Sequence, residues 1–217
     1  MDKKILNQQS QYWEKNFLNK PEMFGLGPSK AAVNTLKTFK EQNIKKIIEF
    51  GAGLGRDTLF FAKNLIHITA LDYSPSAIKI INKKAEKNKL SNLISTKIFD
   101  VRKKLPFENN SIKACFSHML YCMALSTFDL ENLNNEICRI LKPGGINIYT
   151  VRHSGDDDYK NGVHVGENLY KNDGFIVHFF SEEKVRKLSD GFDIVNIEKF
   201  EEGTFPRKLF KVTLKKK

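Results

Sequence analysis

A glycine-rich turn between a short apolar run and a helix-like stretch constrains this chain more than any other feature. The sequence KIIEFGAGLGRDTLFFA occupies residues 46–62. It begins as a buried strand, and apolar residues return at helical spacing after Gly51, Gly53 and Gly55. A turn this tight aims backbone N–H groups and a helix N-terminus at one point, and it needs glycine wherever a side chain would block the turn or a ligand.

Strand-like and helix-like segments alternate after this turn. The strand candidates are 46–50, 66–72, 93–100, 111–119 and 146–152, and the helix candidates follow Gly55, Ser74 and Thr127. This alternation predicts an α/β fold with a mostly parallel sheet that is covered by helices on both faces. Two later alternating runs, 192–200 and 209–216, are separated by a short linker, which favours an antiparallel hairpin.

We expect a single domain over residues 1–217, with two additions to the sheet. Residues 1–45 contain two amphipathic stretches separated by a loop with two Pro and two Gly, and they form an N-terminal helical cap. The polar, glycine-rich stretch 154–174 is too long for a routine connection. It therefore predicts an insert over 153–180 that acts as a lid on the acceptor side of the site.

Composition limits the class of protein and its compartment. Hydrophobic residues make up 41% of the chain, which is enough for a core, and no apolar run approaches a membrane span or a signal-peptide core. We therefore expect a cytoplasmic protein without a membrane partner. Cys115, Cys122 and Cys138 form no CxxC pair and are expected to be buried, reduced thiols.

The net charge of +11 raises the question of a nucleic-acid partner. Lysine is spread along the whole chain, and aromatic and basic residues are not interleaved as in RNA-binding surfaces. A compositional bias is therefore favoured over a nucleic-acid partner. The sequence does not determine the oligomeric state.

The residues around the turn distinguish between ligands. Arg56 stands where a dinucleotide-binding fingerprint has its third glycine, and the chain contains no GxxxxGK[ST] sequence. The next two strands end in Asp72 and Asp100. Each alone also fits a helix cap or a turn residue, but together they place carboxylates at the ligand-binding edge of a parallel sheet. This arrangement favours an adenosine-containing ligand.

These stretches resemble the class I S-adenosylmethionine-dependent methyltransferases. EFGAGLG is similar to the family's first motif, LDYS to its second strand, FDVRKKLPFENNSIKACFSHML to its third and fourth strands, and ILKPGG to the turn before its fifth. GRDTLFFA is similar to the tellurite-resistance and thiopurine methyltransferase branch. The resemblance implies a Rossmann-like, doubly wound sheet of seven strands whose last strand is antiparallel.

The same resemblance implies a site for S-adenosylmethionine, with S-adenosylhomocysteine as product. Glu49, Gly51 and Gly53 would line its methionine part, and Asp72 would hold the ribose. Asp100 and Val101 would contact the adenine. The adjoining residues expected in this cofactor site are Ala52, Tyr73 and Ser117.

The end of the fourth strand is expected to face the methyl group. It lacks the [DNS]PP[YF] pattern of amino-directed nucleic-acid methyltransferases, and no Pro-Cys pair for cytosine attack is present. Both absences favour a small-molecule acceptor. His153, His118 and Tyr121 are the catalytic candidates. For His118 a structural, hydrogen-bonded role is favoured over a role as base, and His153 is the better candidate.

Other polar and aromatic residues have two readings each. Tyr12, Trp13 and Phe24 either cover the cofactor or pack within the cap. His178 is favoured as a satisfied core histidine. The acidic run 156–158 is favoured as a solvated turn over a cation-recognising patch, and no metal site is expected because no His/Cys spacing accompanies it.

Three functional hypotheses follow. The first is a methyltransferase acting by in-line displacement on a small molecule, where alignment and exclusion of water do most of the work. The second is an RNA or protein methyltransferase, motivated by the positive charge. The third is a non-catalytic module that binds an adenosine ligand.

Overall fold

The computed structural model describes residues 3–25, 27–203 and 206–217. Its strands are β1 (Lys46–Phe50), β2 (His67–Asp72), β3 (Ile94–Ile98), β4 (Ile112–His118), β5 (Leu141–Arg152), β6 (Val163–Gly166), β7 (Leu169–Asn172), β8 (Phe175–His178), β9 (Phe192–Glu202) and β10 (Arg207–Lys216). Seven of the described strands form one sheet in the order β3-β2-β1-β4-β5-β10-β9. Among these seven, β10 alone runs antiparallel to the other six. The predicted fold class is therefore confirmed.

The helices are α1 (Lys3–Asn19), α2 (Lys30–Glu41), α3 (Arg56–Lys63), α4 (Pro75–Lys87), α5 (Thr127–Ile140) and α6 (Glu182–Lys187). Four of them begin after a serine whose hydroxyl accepts a backbone N–H of the first turn: Ser29, Ser74, Ser126 and Ser181. Such caps satisfy N–H groups that a helix leaves unpaired, which explains where these helices start. In the described part of the chain, no helix is long and apolar enough to cross a membrane.

The sheet is covered on both faces, as predicted. One core cluster packs α2, α3 and α4 against residues such as Ile47, Ile68 and Phe116. The other packs α5 and α6 against residues such as Ile48 and Tyr149. Adjacent residues of one strand point to opposite faces, so Ile47 and Ile48 lie in different clusters. Both faces being buried explains why these strands read as continuous apolar runs.

Two segments differ from the prediction. Strand β5 starts at Leu141, directly after α5, so the Pro-Gly-Gly sequence lies within a strand with a register irregularity. The expected loop at 154–174 contains β6 and β7, which pair with β8 in a three-stranded antiparallel sheet. The β7–β8 turn has positive φ at Asp173 and Gly174, which is the type I′ geometry favoured by an Asp-Gly pair. The Asp-Gly pair in the sequence therefore predicts this hairpin, which was expected to be part of a loop.

The thiols are free. Cys115 and Cys122 are buried, as predicted, whereas Cys138 is only half-buried. Burial raises the pKa of Cys122 to about 11, so this thiol is protonated and unreactive at neutral pH.

Candidate active site

The glycine turn after β1 is held by β2. The backbone N–H groups of Gly51 and Ala52 both donate to the carbonyl of Leu71, at 2.8 and 3.1 Å. Gly51, Gly53 and Gly55 all have positive φ, between 51° and 77°. A Cβ on Gly51 would lie 3.0 Å from Leu120. The turn therefore needs glycine for its backbone and, at Gly51, for close packing.

Gly53 differs from the other two glycines because it faces the cap. A Cβ there would lie 3.7 Å from the ring of Phe17 and 3.9 Å from that of Phe24, which is ordinary contact. Nothing in the sheet thus excludes a side chain at Gly53. The gap above it, between the turn and the aromatic rings, has room for a methyl group, so a ligand lying against this backbone would have to displace the rings of Phe17 and Phe24.

Asp72, at the end of β2, is bound to this turn. One carboxylate oxygen accepts the N–H of Gly53 at 2.8 Å, and the other accepts the N–H of Ser74 at 2.9 Å. The side chain is buried, and this burial raises the pKa of Asp72 to about 6 although the two hydrogen bonds favour the carboxylate. A carboxylate oxygen can accept a second hydrogen bond, so Asp72 can also receive donors from a ligand.

Glu49 lies below the turn, inside the protein. Thr58 of α3 donates to its carboxylate at 2.5 Å. Burial, followed by the nearby charge of Asp57, raises the pKa of Glu49 well above its usual value. Asp57 is itself buried and accepts hydrogen bonds from the backbone and hydroxyl of Ser29. Glu49 is therefore fixed to the helix that follows the turn.

Asp100 and Val101 follow β3. Val101 is buried in the core, and Asp100 is bound by the guanidinium of Arg102, with N–O distances of 2.7–3.2 Å. Burial opposes the shift, but the hydrogen bonds from Arg102 keep the pKa of Asp100 below its usual value. Arg102 also donates to Asn7 of α1 at 2.6 Å. Arg102 therefore links this carboxylate to the cap, a contact that no local sequence pattern predicts.

His118, at the end of β4, has protein partners near both ring nitrogens. Its Nδ1 lies 2.9 Å from the hydroxyl of Thr150, and its Nε2 lies 3.8 Å from Glu202. Burial, with the charges of Arg56 and Arg207, lowers the pKa of His118 to about 3. The imidazole is therefore neutral at physiological pH, and its surroundings fit the structural reading of this residue.

Tyr121 and Ser117 are both fully buried. The hydroxyl of Tyr121 donates to Asn134 at 2.8 Å and accepts from Asn147 at 3.0 Å, and burial raises its pKa well above the usual value. Its ring stacks on Tyr149, with centroids 4.1 Å apart. These contacts give Tyr121 a place in the core beneath the strand ends, and its catalytic role stays a prediction.

His153, just past β5, is half-buried against the ring of Phe210, at 4.7 Å between centroids. Its Nδ1 accepts the N–H of Gly155 at 2.9 Å, which leaves the proton of the neutral ring on Nε2. Burial and the charge of Lys199 lower the pKa of His153. In this tautomer His153 is a hydrogen-bond donor, and a role as base would require the ring to change its partner.

Aromatic residues of the cap and the lid meet above Gly53. Trp13 lies 5.4 Å from Phe17, 6.1 Å from Phe24 and 4.9 Å from Phe175 of β8, between ring centroids. Tyr12 packs edge-on against Phe175 and donates to the carbonyl of Asp173 at 2.5 Å. The predicted covering residues thus lie together, joined by Phe17, which the sequence reading missed although it lies four residues after Trp13.

The acidic run after β5 is a turn, as predicted, but it is solvated only in part, because Asp157 is exposed whereas Asp156 is buried. Asp156 is buried and, with Asp158, pairs with the guanidinium of Arg152. Asp156 also accepts the N–H of Lys208 at 2.8 Å, so it links the end of β5 to the start of β10. Within the described residues, no group of three or more His, Cys, Asp or Glu could hold a metal ion.

His178 is the satisfied core histidine that was predicted. It is fully buried, and its Nδ1 lies 2.8 Å from the carbonyl of Leu125. Its Nε2 lies 2.6 Å from Lys184 of α6 and 3.7 Å from Glu167 of the lid. Burial, followed by the charge of Lys184, lowers the pKa of His178 to about 4. This cluster attaches the lid to the helices below it.

The chain is similar in sequence to known methyltransferases. A family model described as a methyltransferase domain matches residues 47–145. Phosphoethanolamine N-methyltransferase 1 of Triticum aestivum is 33% identical over 170 residues, which are 75% of this chain and 30% of the wheat protein. The tRNA(Thr) (cytosine(32)-N(3))-methyltransferase of Saccharomyces cerevisiae is 26% identical over 205 residues, 86% of this chain and 32% of the yeast protein.

A solved structure shows the same fold over nearly the whole chain. It is the 1,6-didemethyltoxoflavin-N1-methyltransferase of Burkholderia thailandensis with bound S-adenosylhomocysteine, which superposes with a TM-score of 0.74 at 14% identity. The superposition covers 96% of this chain and 87% of that one. By contrast, the chain spans only about a third of the length of the curated relatives above, at 30% and 32%.

Proposed function

This chain belongs to the class I S-adenosylmethionine-dependent methyltransferases, and we propose that it transfers the methyl group of that cofactor to a small-molecule acceptor. The cofactor, when bound, supplies an electrophilic methyl group on a sulfonium. The protein's task is then to bind the two reactants, align them and exclude water.

The residues at the strand ends fit the cofactor. A ligand can lie against the backbone at Gly53 once the rings of Phe17 and Phe24 move aside, with the buried carboxylate of Glu49 beneath the turn. Asp72 retains lone pairs for the two hydroxyls of a ribose, while Asp100 can accept from an adenine amino group beside the apolar Val101. We assign the predicted cofactor site to these residues, with Ala52 and Tyr73 adjoining it.

The cover above the glycine turn is the observation that carries the choice of a small acceptor. Helix α1 and the β7–β8 turn meet over this edge of the sheet through Tyr12, Trp13 and Phe175. An enclosed, aromatic-lined site suits a small molecule better than a duplex or a folded protein. The name of the wheat relative, which refers to a small phosphorylated amine, supports the same class of acceptor.

The catalytic candidates provide little general-base capacity for removing a proton from the acceptor. His118 is neutral, with partners near both ring nitrogens, and Tyr121 has its hydroxyl engaged in the core. His153 is left as the candidate with an unassigned ring nitrogen at the edge of the sheet. We therefore propose acceptors that attack as neutral nucleophiles, such as an unprotonated amine or a soft atom, rather than alcohols.

Labelled methyl transfer into a pooled cell extract tests this function. We expect label from S-adenosylmethionine to appear in the low-molecular-mass fraction, and we expect Asp72→Ala to abolish both transfer and calorimetric binding of S-adenosylhomocysteine. Transfer only into macromolecules would contradict the proposed acceptor class. Binding without transfer to any fraction would instead indicate a binding module.

An RNA acceptor is the second candidate. The net charge of +11 and the similarity to the yeast tRNA methyltransferase favour it. It requires RNA binding that weakens steeply as salt rises, since phosphate contacts release counterions. Filter binding of total tRNA between about 50 and 200 mM salt distinguishes the two candidates, and no binding at the low end removes RNA.

A further inference from the structure

Glu14 joins the cap to the start of α4. Its carboxylate accepts hydrogen bonds from the hydroxyls of Ser74 and Ser76, and the N–H of Ser76 lies 3.4 Å away. Partial burial opposes the shift, but these hydrogen bonds keep the pKa of Glu14 below its usual value, so the group is ionised at neutral pH. A carboxylate also interacts favourably with the positive end of a helix, and α4 has 13 residues.

Ser74 also binds Asp72, the carboxylate that would hold the ribose in the proposed cofactor site. The N–H of Ser74 donates to Asp72 at 2.9 Å, while its hydroxyl donates to Glu14. The charge of Glu14 contributes to the raised pKa of Asp72. The carboxylates of Glu14 and Asp72 repel each other. A ligand whose hydroxyls donate hydrogen bonds to Asp72 stabilises its negative charge and so offsets this repulsion.

An open recess lies beside these two carboxylates. It is formed between α1 and the start of α4, where Ser10, Glu14 and Lys15 face Tyr73 and Pro75. Tyr73 follows Asp72 directly. The recess therefore adjoins the ribose end of the proposed cofactor site, and one of its walls belongs to the cap.

Helix α1 is attached to the lid by its other side chains. The amide of Gln9 donates to the carbonyl of Gly174 at 2.9 Å and accepts the N–H of Ile176 at 3.2 Å. Tyr12 donates to the carbonyl of Asp173. A single helix thus contacts the start of α4 through Glu14 and the β7–β8 turn through Gln9 and Tyr12.

We propose that Glu14 is a cofactor-positioning residue, which holds α1 against the start of α4 so that the ribose site at Asp72 and the lid are completed together. When α1 packs against α4, it then orders both the ribose site at Asp72 and the β7–β8 turn of the lid. This inference rests on the proposed function only through the cofactor site at Asp72. Glu14 acts through Ser74 and the position of α1, and it takes no part in the chemistry.

Binding of S-adenosylhomocysteine tests this role without any acceptor. We compare Glu14→Gln with Glu86→Gln, which makes the same change on the exposed side of α4. At pH 8, where Asp72 is ionised in both variants, we expect Glu14→Gln to weaken binding about tenfold in calorimetry, since charge-assisted hydrogen bonds are lost. Glu86→Gln should bind as the wild type does.

Hydrogen exchange supplies the second measurement. In the wild type and in Glu86→Gln, S-adenosylhomocysteine should slow amide exchange in α1 and in residues 169–178 together. In Glu14→Gln that added protection should be lost in both segments. If Glu14→Gln folds poorly, Ser76→Ala removes one hydroxyl partner, leaves the Ser74 cap intact and should weaken binding about threefold.

The outcomes separate this inference from the proposed function. Wild-type affinity and protection in Glu14→Gln, with only a lower melting temperature, would show that Glu14 is merely structural and would overturn the inference alone. Absence of binding by the wild-type protein would overturn the cofactor site, and both proposals with it. Weakened binding together with lost protection supports the inference.

Discussion

At the residue scale, Asp72 makes binding depend on pH. Its pKa is raised to about 6 by burial, so below that pH it is mostly protonated, one oxygen becomes a donor, and it is a weaker acceptor for ribose hydroxyls. We expect the affinity for S-adenosylhomocysteine to fall about tenfold from pH 7 to 5, and calorimetry measures it. Asp72→Asn should bind weakly at every pH, and an unchanged acidic limb in this variant would assign the titration to another group such as Glu49.

Substitution of the two glycines is predicted to have different effects, chiefly on ligand binding for Gly53 and chiefly on stability for Gly51. Gly53→Ala should lower the free energy of unfolding by only about 1 kcal/mol, for the positive φ, because its Cβ makes only ordinary contacts. That Cβ occupies the gap between the turn and the cap, so binding of S-adenosylhomocysteine should weaken. Gly51→Ala should destabilise more, because its Cβ would lie 3.0 Å from Leu120. Urea unfolding and calorimetry with S-adenosylhomocysteine separate the two; normal binding by Gly53→Ala would argue against a ligand at that face.

At the element scale, the ion pair of Arg152 and Asp156 attaches the lid segment to the sheet. Both side chains are nearly inaccessible, at 7% and 2% exposure, so Asp156→Ala removes the buried partner of this cation and leaves it paired only with the exposed carboxylate of Asp158. We expect a loss of about 3 kcal/mol in the free energy of unfolding. Asp157→Ala is the matched control, because its side chain is 79% exposed and its pairing with Lys208 should matter little. Urea unfolding measures both variants, and an equal loss of stability in Asp156→Ala and Asp157→Ala would contradict a special role for the buried ion pair.

His178 makes the lid attachment sensitive to acid. Its pKa is about 4 in the folded protein and near 6.5 when unfolded, so the unfolded state binds the proton first. The stabilisation is complete above pH 6.5 and is lost as the pH falls toward 4. We expect the stability advantage of the wild type over His178→Gln to shrink by about 2 kcal/mol from pH 7 to 4.5. Urea unfolding of the wild type and of His178→Gln at several pH values measures this difference, and an advantage that stays constant with pH would contradict the assignment to His178.

At the scale of the whole molecule, the cofactor should stabilise the fold as one unit. The site draws on β1, β2, β3, α1 and α4, so a ligand bound there favours the folded state by mass action. At about 100 times its Kd, S-adenosylhomocysteine should add roughly 3 kcal/mol and raise Tm by about 5–10 °C for a domain of this size. Calorimetric melting measures the shift, and the same rise in Asp72→Asn would place the ligand elsewhere.

Several features of the site were outside the reach of sequence reasoning. Glu14 and Arg102 act on partners far along the chain, Ser74 and Asn7, and nothing local to either residue indicates those contacts. The charge of Asp156 suggested solvent, yet the fold buries it against Arg152. By contrast, Ser74 and Asp72 were identifiable because a helix cap and a strand end are local signals. The roles of His118, His153 and Tyr121 stay predictions.

The sequence by itself determined the order of strands and helices in the seven-stranded sheet, the glycine turn and the edge of the sheet where carboxylates gather, because apolar periodicity, glycine and helix caps act within a few residues. Only the tertiary structure decided how residues 3–19 and 163–178 come together over that turn. Polar side chains have many acceptable partners, and which ones they meet depends on packing between segments that are distant in the chain. The proposed cofactor site is therefore encoded locally, whereas the proposed acceptor side is defined by the assembly of the segments that cover it.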